Sequence, residues 1–170
     1  KNELFLLAET GDPKLKGSTV KGLYVIAGDN PYQMMETASE QLVRELKTFR
    51  LYKDKKTPGF VDYYGWCSWN AFYNDVTYDK LVQAFDNFKS NNQQLGFVII
   101  DGGWQSVKDR VLTGFDADPV KFPGGIKNIV HTAKNDFGIK KVFAWHPLWG
   151  YWQGISKDGP LAKYGQEIAY

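Results

Sequence analysis

The sequence predicts an α/β fold in which parallel strands alternate with helices. Three observations predict it: short apolar runs in the second half of the chain, apolar residues at helical spacing behind the first two runs, and turn-forming glycine and proline between them. A repeated order of strand then helix places the strands parallel. Two architectures fit this order, a doubly wound sheet and the opening part of a (β/α)8 barrel.

The repeating part of the sequence begins near Phe60. Strands are predicted in YYGWCSW, FVII and KKVFAW, at residues 63–69, 97–100 and 140–145. The first helix is predicted across about residues 79–91 from Leu81, Val82, Phe85 and Phe88, and the second behind Pro123 from Ile126, Ile129, Val130, Ala133 and Phe137. In either architecture, ligands bind beyond the carboxyl ends of the strands.

The first part of the chain is organised differently. Residues 3–8 and 20–27 are short apolar runs separated by a turn-rich stretch, which predicts two strands. Met35, Ala38, Leu42, Leu46 and Phe49 then recur every three to four residues, which predicts an amphipathic helix that begins at Pro31, with Asp29 and Asn30 as candidate caps. The basic stretch RLYKDKKTPGF predicts a linker and a domain boundary.

Composition and charge exclude several function classes. The chain has 170 residues, of which 43% are hydrophobic and 24% charged, as in an ordinary globular protein. A net charge of +2 gives no electrostatic argument for binding nucleic acid or an anionic membrane. One Cys and two His make a zinc site improbable. No apolar run approaches the roughly 20 residues that span a bilayer.

The start of the chain gives no information on its compartment. Residues 1–14 lack the apolar core of a signal peptide and do not begin with Met. We therefore expect an excised or processed piece of a longer protein, and the cellular location stays open.

The segments that follow the three predicted strands have an unusual composition. They read GWCSWNAFY, DGGWQS and WHPLWGYWQG, and each combines tryptophan with small or hydrogen-bonding residues. Asp101 is the carboxylate directly at a strand end, and a carboxylate accepts hydrogen bonds from two hydroxyls. The faces of Trp66, Trp104 or Trp145 suit the apolar side of a pyranose ring. The pattern favours a carbohydrate site over a phosphate site, which would need a glycine-rich or Walker motif.

Four motifs in this order resemble a known family. GWCSWNAFY, VIIDGGWQS, KFPGGIK and VFAWHPLWGYWQG are similar to the barrel of the raffinose synthase and seed-imbibition group of α-galactosidase-like proteins, in glycoside hydrolase family 36. AGDNPYQMMETAS resembles the segment by which those proteins pass from an N-terminal β-sandwich into the barrel. The resemblance implies the end of a β-sandwich domain at residues 1–30, a linking helix and loop at 31–58, and the first three β/α units of a (β/α)8 barrel at 59–170.

The resemblance also implies an activity. Family members hydrolyse terminal α-galactosides such as raffinose or melibiose with retention of configuration and without a cofactor. One alternative is galactosyl transfer of the raffinose synthase type, in which a sugar accepts the galactosyl group. A second alternative is a catalytically silent carbohydrate-binding or structural protein. Carbohydrate is therefore the expected partner, and the oligomeric state stays open.

The resemblance assigns candidate substrate-binding residues by position. Trp66 and Trp145 fall where family members wall the galactose site, whereas Trp69 is expected in the core. Asp101 falls on the first carboxylate that binds sugar hydroxyls, and Gly102 stands where a second Asp is usual. Because Gly102 removes one acceptor, strict galactose selectivity or full activity is in doubt, which is also the argument for a silent protein.

Two further candidates belong to the same set. Trp104 ends the DGGW stretch, and His146 follows Trp145 as in the raffinose synthase group, where it would shape the pocket or bond to backbone. The nucleophile and the acid/base of the family follow the fourth and sixth strands, so neither is expected within residues 1–170. Asp116 and Asp118 are expected in a solvated loop, and Cys67 is expected to be inert.

Overall fold

The computed structural model describes residues 14, 16–17, 19 and 21–165, and the chain divides into two compact units between Pro58 and Gly59. The helices are α1 (Pro31–Leu46), α2 (Trp69–Phe72), α3 (Tyr78–Ser90), α4 (Gly125–Asn135) and α5 (Ala162–Gly165). The strands are β1 (Gly65–Cys67), β2 (Phe97–Ile100), β3 (Gln105–Lys108), β4 (Val111–Ala117) and β5 (Lys141–Ala144). Single 3-10 turns cover Tyr52–Asp54, Tyr73–Asp75 and Gly159–Leu161.

A three-stranded parallel sheet organises the second unit. Its strand order is β1-β2-β5, and Trp66, Val98 and Val142 are aligned across it. Helix α3 connects β1 to β2, and α4 lies between β2 and β5 in the chain. The predicted α/β class and the parallel order of the three strands are confirmed.

One face of the sheet forms the core with the two helices. Alternate residues of a strand point to opposite faces, and Val98 and Ile100 are fully buried on the helix side. Helix α3 contributes Leu81 and Phe85 to this core, and α4 contributes Ile129 and Ala133. The predicted apolar spacing of both helices is confirmed, although α4 begins at Gly125 and ends before Phe137.

The opposite face carries a cluster of phenylalanine rings. The ring centroids of Phe60 and Phe143 are 5.0 Å apart, and those of Phe97 and Phe143 are 6.0 Å apart. Phe97 lies against Gly65, where a side chain would overlap its ring. The small residue in β1 therefore makes room for the aromatic residue in β2.

A β-hairpin that the sequence reading missed follows β2. Strands β3 and β4 pair antiparallel and are joined by Asp109 and Arg110, whose φ angles are 50° and 64°. A two-residue turn with positive φ at both positions is usually signalled by Asn-Gly or Asp-Gly, and this chain uses neither. Asp116, expected in a loop, lies exposed in β4, whereas Asp118 lies beyond it and accepts hydrogen bonds from Val120 N and Lys121 N.

The first unit contains α1, which begins where the sequence predicts. Asn30 Oδ1 accepts hydrogen bonds from Tyr32 N and Gln33 N, and Lys47 ends the helix in the left-handed region. The strand predicted at residues 20–27 is wrong for residues 21–27, which have no ladder partner among the described residues. The strand predicted at residues 3–8 lies outside the described residues, as does most of the segment expected to end a β-sandwich.

Among the described residues, no helix combines the length and the apolar character needed to cross a bilayer.

Candidate functional site

A cavity of about 310 Å³ opens at the carboxyl ends of the three parallel strands. The loops after β1, β2 and β5 all contribute to it, as expected for ligand sites on parallel sheets. Its lining residues are Trp69, Asn74, Asp101, Gly102, Trp145, Tyr151 and Trp152. Of the six predicted substrate-binding residues, Asp101, Gly102 and Trp145 line this cavity.

Asp101 is fixed at the end of β2 by its backbone and by its side chain. Its N–H donates to Ser68 Oγ at 2.9 Å, and Ser68 is fully buried. Its Oδ1 accepts from Gly102 N at 2.7 Å, and its Oδ2 accepts from Cys67 Sγ at 3.3 Å. A carboxylate offers about four acceptor positions, so Asp101 keeps acceptor capacity for hydroxyl groups in the cavity.

The two tryptophans after Gly65 take the opposite places from those predicted. Trp66 points to the helix side of β1, where its ring packs at 5.6 Å from Phe88 and 6.4 Å from Phe85. Trp69 instead begins α2, lines the cavity and is 36% exposed. The predicted strand over residues 63–69 is too long, because β1 ends at Cys67 and the buried Ser68 turns the chain.

Trp104 and His146 also lie apart from the cavity lining. Trp104 is 7% exposed in the core, and its Nε1–H donates to Trp145 O at 2.8 Å. This bond fixes the start of the loop that carries Trp145. His146 is exposed, and its Nδ1 lies 2.9 Å from Gln105 Nε2 in the hairpin. The prediction that these two side chains bind substrate directly finds no support in their positions.

Asn74 and Tyr151 are cavity residues that the sequence reading missed. The Tyr151 hydroxyl donates to Asn74 Oδ1 at 3.4 Å, although the two residues are far apart in the chain. Burial raises the pKa of Tyr151, Arg110 opposes this shift, and the negative charge of Asp101 adds to it. The hydroxyl therefore stays protonated at neutral pH. Tyr151 lies in the segment WHPLWGYWQG and Asn74 directly follows GWCSWNAFY, but nothing in the sequence signals that the two side chains pair.

The loop that carries Asn74 is fastened to the loop after β2. Lys121 Nζ donates to Asn74 O at 2.7 Å and to Gly103 O at 2.9 Å. Gly103 has φ +99° and packs so closely on the Asn74 backbone that a side chain at residue 103 would overlap it. Only glycine tolerates both the positive φ angle and the lack of space for a side chain. Gly103 therefore allows the two loops to pack directly on each other.

Aromatic rings form the walls of the cavity. Trp145 and Trp152 lie with centroids 5.8 Å apart and planes tilted by 34°, and Trp152 is 52% exposed. On the side that α2 contributes, Trp69 packs edge-on against Tyr73 at 5.3 Å. Exposed tryptophan faces beside a carboxylate and an amide fit the apolar faces and hydroxyl edges of a sugar ring.

Cys67 is held in its neutral thiol form beside Asp101. Burial raises the pKa of Cys67, a backbone hydrogen bond at Trp69 opposes this, and Asp101 raises it further. A thiol with a raised pKa is a poor nucleophile, in agreement with the inert role expected for it. Within the part of the chain that the structure describes, no group of three or more metal-ligating side chains is found.

Sequence comparison places the chain among known proteins. It matches the family described as "Raffinose synthase or seed imbibition protein Sip1" over residues 1–124 and 115–170. It is 36% identical to the probable galactinol–sucrose galactosyltransferase 6 of Arabidopsis thaliana, with 99% of this chain and 25% of that protein aligned. It is 40% identical to the stachyose synthase of Pisum sativum over 65% of this chain and 13% of that protein. The chain spans about a quarter of the length of the first of these relatives.

Structural comparison finds a likeness in fold. The GH36 α-galactosidase AgaA of Geobacillus stearothermophilus superposes with a TM-score of 0.50 and 20% identity, over 65% of this chain and 15% of that enzyme. A variant of AgaA in complex with 1-deoxygalactonojirimycin superposes with a TM-score of 0.51 and 21% identity, over 76% of this chain and 17% of that chain. At this level of identity the likeness concerns the fold alone.

Proposed function

Because the chain belongs to the raffinose synthase and seed imbibition protein family, we propose that its cavity binds the galactosyl group of an α-galactoside. We further propose that the full-length protein transfers this group to a second sugar. The observation that carries the proposal is Asp101 at the strand end, with free acceptor capacity and with Trp69 and Trp145 beside it. The cavity volume of about 310 Å³ lies at the lower end of the range for small-molecule sites.

The proposal includes an architecture for the whole catalytic domain. Residues 59–170 would form the first three β/α units of a (β/α)8 barrel, and residues 31–58 would link it to a β-sandwich that ends at residue 30. The parallel order β1-β2-β5 and the cavity at the strand ends support the barrel. The likeness in fold to GH36 α-galactosidases supports it as well.

The proposed chemistry is a double displacement with retention of configuration. A carboxylate nucleophile attacks the galactosyl anomeric carbon and forms a covalent bond to it as the bond to the leaving oxygen breaks, and an acid donates a proton to that oxygen. A hydroxyl of the acceptor sugar then attacks the anomeric carbon, the bond between this carbon and the carboxylate nucleophile breaks, and the former acid, now a base, takes the hydroxyl proton. We assign both catalytic carboxyl groups to segments outside residues 1–170, and Asp101 to substrate binding. No cofactor takes part.

The test compares transfer with hydrolysis in one reaction mixture. The full-length protein is incubated with galactinol as donor and sucrose as acceptor, and the products are separated by chromatography. Transfer yields raffinose and requires sucrose, and an Asp101→Ala variant should form much less of it. If neither raffinose nor free galactose forms, the proposed activity is wrong and the silent alternative gains support.

Hydrolysis is the second candidate, because the resemblance of the sequence motifs to glycoside hydrolase family 36 implies it. In this case water takes the place of the acceptor sugar, and free galactose forms at the same rate with or without sucrose. The names of the sequence relatives favour transfer. The ratio of raffinose to free galactose decides between the two.

The assignment of the catalytic pair has its own test. Residues 1–170 alone should show no turnover of p-nitrophenyl α-galactoside, since both catalytic carboxyl groups are assigned elsewhere. Turnover by this segment would contradict the assignment and would direct attention back to Asp101.

A further inference from the structure

We propose that Asn74 is a sugar-binding residue, and that its side-chain amide works together with the space left open above Gly102. This inference rests on the proposed binding of a galactosyl group in the cavity. It adds a hydrogen-bond donor to a site in which Asp101 supplies an acceptor.

The space above Gly102 belongs to the cavity. A Cβ atom at residue 102 would lie 3.5 Å from Asn74 Oδ1, 3.5 Å from Trp69 Cζ3 and 3.7 Å from the Trp145 ring. These are ordinary contact distances, and all three neighbours line the cavity. Since Gly102 has no side chain, this volume is free for a ligand that contacts Asn74.

The Asn74 side chain is oriented with its donor available. Its Oδ1 accepts from the Tyr151 hydroxyl at 3.4 Å. In the part of the chain that the structure describes, no protein atom accepts a hydrogen bond from Asn74 Nδ2. A ligand in the cavity therefore meets an amide donor whose acceptor end is already occupied.

The backbone of Asn74 is also held in place before any ligand binds. Lys121 Nζ donates to Asn74 O at 2.7 Å, and Gly103 packs directly on the Asn74 backbone. Groups that are ordered in advance lose less entropy on binding. The donor on Asn74 and the acceptor on Asp101 both line the cavity, so we expect them to contact different hydroxyls of a bound sugar.

The experiment measures raffinose affinity of the full-length protein by the change in tryptophan fluorescence, since Trp69, Trp145 and Trp152 line the cavity. The variants are Asn74→Ala, Asn74→Asp, Gly102→Ala and the double variant Asn74→Ala/Gly102→Ala. Asn70→Ala is the matched control, because Asn70 is an exposed asparagine of the neighbouring helix α2. Thermal unfolding of every variant checks that it is folded.

Loss of one hydrogen bond should weaken binding by about threefold to tenfold in Asn74→Ala. Asn74→Asp should lose a similar amount, because it keeps the oxygen that faces Tyr151 but loses the NH₂ donor. Asn70→Ala should bind within about twofold of the natural protein. Gly102→Ala should weaken binding, and the double variant should lose less than the product of the two single losses, because both changes act on one contact.

Two results would overturn the inference in distinguishable ways. If the natural protein binds raffinose and Asn74→Ala and Asn74→Asp bind it equally well, the inference is wrong and the proposed function stands. If the natural protein binds neither raffinose nor methyl α-galactoside, both the proposed function and this inference are wrong.

Discussion

Trp66 and Trp69 are three residues apart, yet one lies in a packed apolar environment and the other is partly exposed to solvent. Trp66 lies on the core face, the side of the sheet covered by α3 and α4, where its ring packs against other aromatic rings. Trp69 lies on the cavity rim, the loops at the carboxyl ends of β1, β2 and β5, where its ring is partly open to solvent. Strand alternation decides the first position, and the turn at Ser68 decides the second.

The same contrast holds for the other aromatic residues of the two regions. On the core face, Phe85 is almost fully buried and is surrounded by apolar groups. On the cavity rim, Trp152 has about half of its surface exposed and lies beside polar side chains. We therefore expect substitutions on the core face to change stability and substitutions on the rim to change sugar affinity.

The largest effect is expected for Trp66→Ala. Removal of a large aromatic side chain from a core costs about 3–5 kcal/mol of unfolding free energy, and the partial burial of Trp66 points to the lower part of that range. Urea unfolding measures the loss, and Trp66→Phe should lose less because a ring remains. If Trp66→Ala leaves the unfolding free energy unchanged but loses raffinose affinity, Trp66 acts as a residue of the cavity rim and not of the core face.

Asp101→Asn is expected to have the next largest effect. Hydrogen bonds to charged groups contribute about 1.5–3 kcal/mol, so raffinose affinity should fall by roughly tenfold to a hundredfold. Isothermal titration calorimetry measures the affinity. Asp116→Asn is the control, since Asp116 is an exposed carboxylate in β4, outside the cavity lining. If the two variants bind raffinose with equal affinity, Asp101 does not take part in binding.

Trp69→Ala should weaken raffinose binding by about fivefold, because the apolar face of the sugar loses one aromatic contact. Its unfolding free energy should change by less than half of the loss in Trp66→Ala. Trp149→Ala, which removes an exposed tryptophan outside the cavity lining, should leave the affinity unchanged. If Trp69→Ala loses more stability than Trp66→Ala, the assignment of Trp66 to the core face and Trp69 to the cavity rim is wrong.

The smallest effect concerns Cys67, which lies between the two regions in β1. Its folded-state pKa lies above the usual value of 9.0, chiefly because of burial. The neutral thiol therefore stabilises the fold fully below pH 9.0, and this contribution is lost as the pH rises through the folded pKa. The difference in unfolding free energy between the natural chain and Cys67→Ala should be constant at neutral pH. In alkaline solution the natural chain should lose stability relative to the variant. A pH-independent difference would contradict the raised pKa.

Much of the fold could be predicted because its signals are local. The helical spacing in α1, α3 and α4 and the apolar run of β2 are each contained within one segment. The hairpin β3–β4 was missed because its turn, Asp109–Arg110, lacks the glycine that usually marks such turns. The strand predicted at residues 20–27 was wrong for residues 21–27, for which the described part of the chain supplies no partner strand.

The lining of the cavity was predicted where a residue directly follows a strand. Asp101 and Trp145 were placed at the cavity by their position after β2 and β5. Asn74 and Tyr151 could not be found in the same way, because their pairing depends on contacts between distant segments. The predicted locations of Trp66 and Trp69 were the reverse of the observed ones. Tryptophan is common both in cores and in sugar sites, so the residue type does not show which of the two locations it occupies.

The bonds from Lys121 have a consequence for how the protein is made. One ammonium group joins the loop after β1, the loop after β2 and the segment after β4. The chain leaves the ribosome from its N-terminus, so Asn74 and Gly103 emerge well before the lysine that ties them, and Tyr151 and Trp152 emerge later still. The cavity therefore takes its final shape only after the strands and helices from β1 to β5 have been released.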